Sequence, residues 1–306
     1  MGLGEVYDGA FQAMRRNPRT MLGASAVINV VTTAVGLVIL GLSTGSVGRL
    51  LALSATPGST IDESEVVGAL GSAGLGLAGY AAVTAFGTAL LTGVLTFAVG
   101  RAVLGEKLGP ARLWTMVRPR LLAIVGLQIL VGLLYVVLAV VTLGPGVGLL
   151  FVEPWAGGVA LVIGVLVWVL SGIVLLAVSS MATPALLLEA TSVVGALARG
   201  RRIVRMAFWR TVGIMLLTVV LVYVLSTLLA APASVFGGLY TVVNPDDVRA
   251  VAGVHPVQLL VTGVFSSVAA TIVLPFLASV ATLLYIDVRM RREGLDVELA
   301  SAAGAG

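Results

Sequence analysis

The chain has 306 residues, 59% of them hydrophobic and only 10% charged, with a mean hydropathy of +1.12 and a formal net charge of +4. Soluble domains run at about 45–50% apolar and about 25% charged residues, because a water-facing surface needs a charged skin. The composition therefore excludes a water-soluble enzyme, a secreted disulfide module and a disordered chain, and makes lipid the main solvent.

The first element in chain order is an amphipathic stretch. Val6, Tyr7, Ala10, Phe11 and Met14 recur at three-to-four spacing, with Glu5, Asp8, Gln12 and Arg15 opposite. It reads as an interfacial helix, and Pro18 as an elbow leading into a span. Residues 1–20 lack the short apolar core of a cleavable signal peptide. Six uncharged runs follow, each long enough for a spanning helix, which needs about 20 residues. They are Met21–Leu42, Leu77–Val99, Leu121–Leu143, Gly158–Ser180, Thr211–Leu229 and Val257–Leu284. Backbone groups in lipid must be satisfied within their own segment, and the alternation of a β-barrel strand is missing, so the runs are helices.

Between the second and third spans lies a second amphipathic stretch. Pro110 suits a first helical turn, Leu113, Trp114 and Val117 face the membrane, and Pro119 makes another elbow. Between the fourth and fifth lies a third, with Thr191 or Ser192 as its N-cap and arginines whose stems lie in lipid. The opposite connections are read as loops at 43–76, 144–157 and 230–256. Their turn signals are Thr56-Pro57-Gly58, Gly144-Pro145-Gly146 and Asn244-Pro245-Asp246, with short surface helices expected in the longer two.

The basic residues set an orientation. Sixteen of the 18 lie at the termini and in the two loops after the second and fourth spans; only Arg49 and Arg249 lie on the other side. This side carries +8 and the other −4, which predicts a bacterial plasma-membrane protein with both termini cytoplasmic. The pI of about 9.8 then reflects contact with anionic headgroups and needs no nucleic acid.

Internal similarity is present. LGEVYDGAFQAMRRNPR, Leu3 to Arg19, aligns without gaps to LGEKLGPARLWTMVRPR, Leu104 to Arg120, and a looser copy runs from Leu187 to Arg210. Each copy ends on an arginine (Arg19, Arg120, Arg210) that opens a span. The expected fold class is all-α: a polytopic membrane helix bundle of six transmembrane helices, built as three repeats of an interfacial amphipathic helix plus two spans. A single membrane domain, 1–306, is expected, with approximate repeats 1–103, 104–186 and 187–306.

Candidate chemistry is sparse. The chain has no cysteine and one histidine, His255, so Cys-based metal sites and two-histidine sites are excluded. No P-loop, GxSxG, HExxH or dinucleotide fingerprint occurs, so no enzyme, cofactor or metal site is expected. Glu5 with Asp8, and Asp246 with Asp247, read as caps or solvated charges, and Glu153-Pro154-Trp155 as a boundary anchor. Polar residues inside spans are Asn29, Gln128 and Thr218; they read as interhelical hydrogen-bonding groups, with a polar site inside the bundle as the alternative. On the second span Thr84, Thr88, Thr92 and Thr96 run beside Ala81, Ala85, Ala89 and Gly93. This small-residue face reads as packing within the monomer, with a homo-oligomer as the alternative. Arg19, Arg120 and Arg210, with Arg201, Arg202 and Arg205, are positive-inside anchors and candidate contacts for anionic lipid or a partner protein.

MATPALLLEATSVVGALARGRRIV (Met181 to Val204), LLYIDVRMRREGLDVELA (Leu283 to Ala300) and the opening GLGEVYDGAFQAMRRNPRTMLGASAV resemble a group of actinobacterial six-span membrane proteins. That group is known as the membrane domain of glycerophosphoryl diester phosphodiesterase. Its name implies a separate catalytic barrel with paired histidines and metal-binding carboxylates. This chain has one histidine and no such barrel, so the resemblance implies a lipid-associated role without the activity. The expected function is a non-enzymatic integral membrane protein that scaffolds or assists envelope and lipid processes through its basic interfacial helices. The alternative is a transporter or channel-like protein moving a lipid or other amphipathic solute. Its partners are membrane lipids with anionic headgroups, and a second copy or another membrane protein.

Overall fold

The computed structural model describes residues 2–54, 62–103 and 109–293. The Thr56-Pro57-Gly58 turn, Glu106, Lys107 and the segment after Glu293 lie outside the described residues. Among the described residues, all regular structure is helical. Six helices are long and apolar enough to cross a membrane, and the protein is a multi-pass, all-α membrane protein.

The helices are α1 (Leu3–Arg16), α2 (Pro18–Ser54), α3 (Glu63–Val103), α4 (Pro110–Val117), α5 (Leu121–Leu150), α6 (Pro154–Leu188), α7 (Val193–Met206), α8 (Phe208–Val243), α9 (Val248–Val251) and α10 (Pro256–Glu293). The order is short, long, long, three times over, if the single turn of α9 is set aside. The elbows fall where proline predicted them. Asn17 breaks the helix before Pro18, and a 3-10 turn, Arg118–Arg120, carries Pro119.

The predicted loops are a different matter. α2, α3, α5 and α8 run far into them, so 43–76, 144–157 and 230–256 are largely helical. Pro145 sits inside α5, and Pro184, Pro232 and Pro275 sit inside α6, α8 and α10. A Gly-Pro-Gly signal marks a turn where water can take over the freed backbone groups; apolar surroundings keep the helix running through it. Asn244-Pro245-Asp246 does form a turn, and α9 is its short helix.

The chain forms two compact units. The first comprises residues 1–20, 92–220 and 276–306, the second residues 21–91 and 221–275. In the first, Val6 and Ala10 of α1, Leu95 and Val99 of α3, Leu113 and Val117 of α4, Ile124 of α5, Met181 of α6, Ile203 of α7 and Leu284 of α10 are buried. Leu113 and Val117 were expected to face the membrane and instead have no exposed surface; of that trio only Trp114, 46% exposed, stays outside. Helical periodicity shows that a face is apolar, not what covers it. Most of the α1 face is likewise covered by protein: Val6 and Ala10 are buried, Tyr7 lies 5.5 Å from Phe276, and a Cβ on Gly9 would lie 3.1 Å from Leu283, whereas Phe11, 4.9 Å from Phe276, stays 53% exposed.

Small residues bring the helices together. α5 and α6 form a hairpin with a three-residue connection, Phe151–Glu153. A Cβ on Gly146 would meet the Leu161 backbone nitrogen at 2.7 Å, and one on Gly157 that of Leu150 at 2.5 Å. In the second unit α2 and α3 pair in the same antiparallel manner, with Gly36 beside Tyr80, Gly79 beside Ile39 and Gly87 beside Thr32. Lipid gives apolar side chains no drive to associate with each other, so close backbone approach and dispersion must hold such pairs. The second unit also holds a buried polar knot. Gln258 Nε2 donates to Gly237 O at 3.1 Å, Thr241 Oγ1 at 3.2 Å and Ala250 O at 3.1 Å.

Candidate functional site

The site grows from the end of α6. Glu189 caps the helix, and Ala190 follows at φ 58°, the left-handed position that usually takes glycine after a helix. Ser192 then N-caps α7, its Oγ accepting from the Gly195 amide at 3.2 Å. The sharp reversal lays α7 back on α6. A Cβ on Gly200 would fall 2.6 Å from Val178 O and 2.9 Å from the Ala182 nitrogen, so only glycine permits this crossing. Ala196, Gly200, Ile203 and Val204 form the buried face of α7.

An ionic network holds α7, α6 and α10 together. Arg199 Nε donates to Glu189 Oε2 at 2.9 Å, and Arg199 Nη2 to Glu293 Oε2 at 2.5 Å. Arg289 lies 3.4 Å from Glu189 and 3.2 Å from Glu293, and the Tyr285 hydroxyl donates to Glu189. Partial burial works against the charge on Arg199, but hydrogen bonds to Glu293 and Glu189 outweigh it and raise its pKa. Nearby, Arg210 donates to Asp287 at 2.6 Å, and Arg291 to the same carboxylate at 3.1 Å.

Two of the six candidate lipid arginines therefore serve the fold. Arg210 is paired with Asp287, whose side chain is 4% exposed. Arg120 donates to Leu186 O at 2.8 Å and Leu187 O at 3.4 Å, capping carbonyls that the end of α6 leaves open. Arg19, Arg201, Arg202 and Arg205 are exposed. The last three stand together on α7 and, with Ala198 and Met206, line a shallow recess of about 430 Å³. Ala198 and Arg201 also line a second hollow of about 680 Å³ whose other walls are α5, α6 and the start of α7. Apart from Ser171 and Arg201, this groove is lined by aliphatic side chains.

The three polar residues of the spans do not converge. Asn29 Nδ2 donates to Ser25 Oγ at 3.1 Å on its own helix. Thr218 Oγ1 donates to Ile214 O at 2.6 Å and lies 3.0 Å from the Tyr7 hydroxyl, so it joins α8 to α1. Gln128 is half-buried on α5. No hydrogen bond links any two of them among the described residues.

The small-residue stripe of α3 divides along its length. Ala81, Ala85 and Thr88 are exposed, Thr84 and Thr92 are half-buried, and Ala89, Gly93 and Thr96 are buried. A Cβ on Gly93 would lie 2.7 Å from Ile124, so in the first unit the stripe packs against α5. Toward α2 the contact is made by Gly76, Gly79 and Gly87, a face that the stripe of threonines hid from view. His255 lies 4.9 Å from the Tyr240 ring, and its Nδ1 accepts from the Val257 amide at 3.3 Å, at the start of α10. Glu153 caps α6, with Pro154 in the first turn and Trp155 exposed.

Sequence reasoning missed the network of Glu189, Arg199, Tyr285, Arg289 and Glu293. A signal was available: Tyr285, Arg289 and Glu293 recur at four-residue spacing, and so do Asp287 and Arg291. Counting charges by side of the membrane had merged them into one positive total.

No protein-family model matches this chain, and neither a curated protein nor a solved structure matches it.

Proposed function

We propose that the chain is a non-enzymatic integral protein of the bacterial plasma membrane that assists envelope and lipid processes by gathering anionic lipid on its basic helices. One observation carries this reading. Among the described residues Arg201, Arg202 and Arg205 stand exposed on α7 with no acidic partner, while Arg199, Arg210 and Arg289 beside them are ion-paired. Three guanidiniums on one short helix, docked rigidly beside membrane spans, suit bidentate contact with lipid phosphates. The resemblance to the phosphodiesterase membrane domain supports a lipid-associated role. The threefold element order supports the repeat reading.

The test is lipid preference in nanodiscs containing phosphatidylglycerol and phosphatidylcholine. Juxtamembrane basic residues contribute about 1 kcal/mol each, roughly a fivefold preference per arginine. The variant R201Q/R202Q/R205Q is expected to lose most of the preference for spin-labelled phosphatidylglycerol. An unchanged preference overturns the proposal.

Orientation is tested separately. The arginine bias supports a topology with α7 and both termini in the cytoplasm and the α5–α6 connection outside. The chain has no native cysteine, so single-cysteine variants report cleanly. On intact cells an impermeant maleimide is expected to label Trp155→Cys and not Asp8→Cys; the reverse pattern overturns the topology.

A further inference from the structure

We propose that the groove between α5, α6 and α7 holds one anionic glycerophospholipid, with an acyl chain along the groove and the phosphate on the α7 arginines. The proposal rests on the reading of those arginines as lipid-facing and adds a defined site to it.

The groove is almost wholly aliphatic. Val137, Leu138 and Val141 of α5 form one wall, Val174 and Val178 of α6 the other, and Leu197 of α7 lies at one end. Several of these side chains remain open to the surroundings, Val141 at 66% and Val137 at 50% exposure. Among the described residues no acidic one lines it, and the single charged one is Arg201. Through Arg201 and Ala198 it continues into the recess that holds Arg202 and Arg205. The occupant must therefore be apolar along most of its length and anionic at one end.

The α6 wall extends from Ser171 to Val178. At 1.5 Å per residue that is roughly 10 Å, about a third of the roughly 30 Å hydrocarbon core, enough for the part of one acyl chain nearest its headgroup. A phospholipid of the arginine-side leaflet meets both requirements, whereas a free phosphate would leave the aliphatic walls uncovered.

The experiment uses the full chain, purified by extraction from nanodiscs of equal parts phosphatidylglycerol and phosphatidylcholine, with retained lipid counted by native mass spectrometry. The expected result is one retained phosphatidylglycerol. Ala198→Trp fills the junction of groove and recess, and Val174→Trp fills the α6 wall; both positions are exposed, so the fold tolerates the larger ring. Each is expected to weaken retention about tenfold or more, the effect of losing one well-packed contact. Added inorganic phosphate is expected to leave the bound lipid in place.

If both tryptophan variants keep the lipid at native occupancy, or if inorganic phosphate displaces it, the groove site is overturned. The arginine variant separates this failure from failure of the broader reading. Loss of anionic preference in R201Q/R202Q/R205Q together with full retention in the tryptophan variants overturns the groove alone. Unchanged preference in the arginine variant overturns both.

Discussion

Gly200→Val is expected to detach α7 from α6. The new Cβ would lie 2.6 Å from Val178 O and 2.9 Å from the Ala182 nitrogen. Both are backbone atoms within a continuous helix, so neither can rotate aside as a side chain would. Overpacking commonly costs about 1–3 kcal/mol, and contact with backbone belongs at the upper end. α7 would have to lift by the width of a methyl group or more. That movement strips Arg199 from Glu189 and draws the exposed arginines away from the groove. The measurement is the unfolding midpoint in mild detergent, together with protease sensitivity of residues 193–206. Gly132→Val is the control, since nothing lies within 4 Å of a Cβ there. Equal behaviour of the two variants would show that the crossing does not depend on Gly200.

Glu189→Ala is the second large effect expected. Glu189 accepts from Arg199 and from the Tyr285 hydroxyl, and pairs with Arg289. Its removal leaves two guanidiniums facing one remaining carboxylate, Glu293, and a tyrosine hydroxyl without its acceptor. Breaking a buried ion pair by deleting one partner costs about 3–5 kcal/mol. The side chains here keep roughly a fifth of their surface exposed, so the low end of that range, about 3 kcal/mol, is expected. Glu189→Gln preserves an acceptor for Tyr285 but loses the charge, and is expected to fall between alanine and wild type. An unfolding midpoint for Glu189→Ala within error of wild type would show that the network contributes nothing to stability.

The two variants share a physical logic. Hydrophobicity places every span in the membrane but does not select neighbours, because lipid chains and leucines are nearly equivalent surroundings. Neighbour choice falls to glycines that admit a backbone, and to charge pairs near the helix ends. Gly200 and Glu189 are one of each, eleven residues apart on either side of a tight reversal. Together they turn a polar, arginine-rich segment into a docked helix with one buried and one open face.

Much of this architecture was legible in the chain. Six uncharged runs separated by charge gave six long helices, since only a helix satisfies its own backbone in lipid. Pro18 and Pro119 marked the elbows, and Ser192 marked the start of α7. The ends of the helices on the less basic side were not legible. Gly144-Pro145-Gly146 resembles a turn by every local rule, yet α5 runs through it. Nor did local pattern reveal what covers an apolar face: Leu113 and Val117 are buried in protein, although their spacing is that of a membrane-surface helix.

The arginines draw the line most clearly. The sequence by itself determined their number, their bias to one side, and thus that the protein is a polytopic helix bundle with a basic rim, because solvation energies depend on composition and period alone. Only the tertiary structure decided what each one does. Arg120 caps α6, Arg210 serves Asp287, Arg199 ties α7 to α10, and Arg201, Arg202 and Arg205 are left exposed on α7. A guanidinium's role depends on which carboxylate or carbonyl comes within hydrogen-bond reach, and its partners here are as much as 94 residues away along the chain.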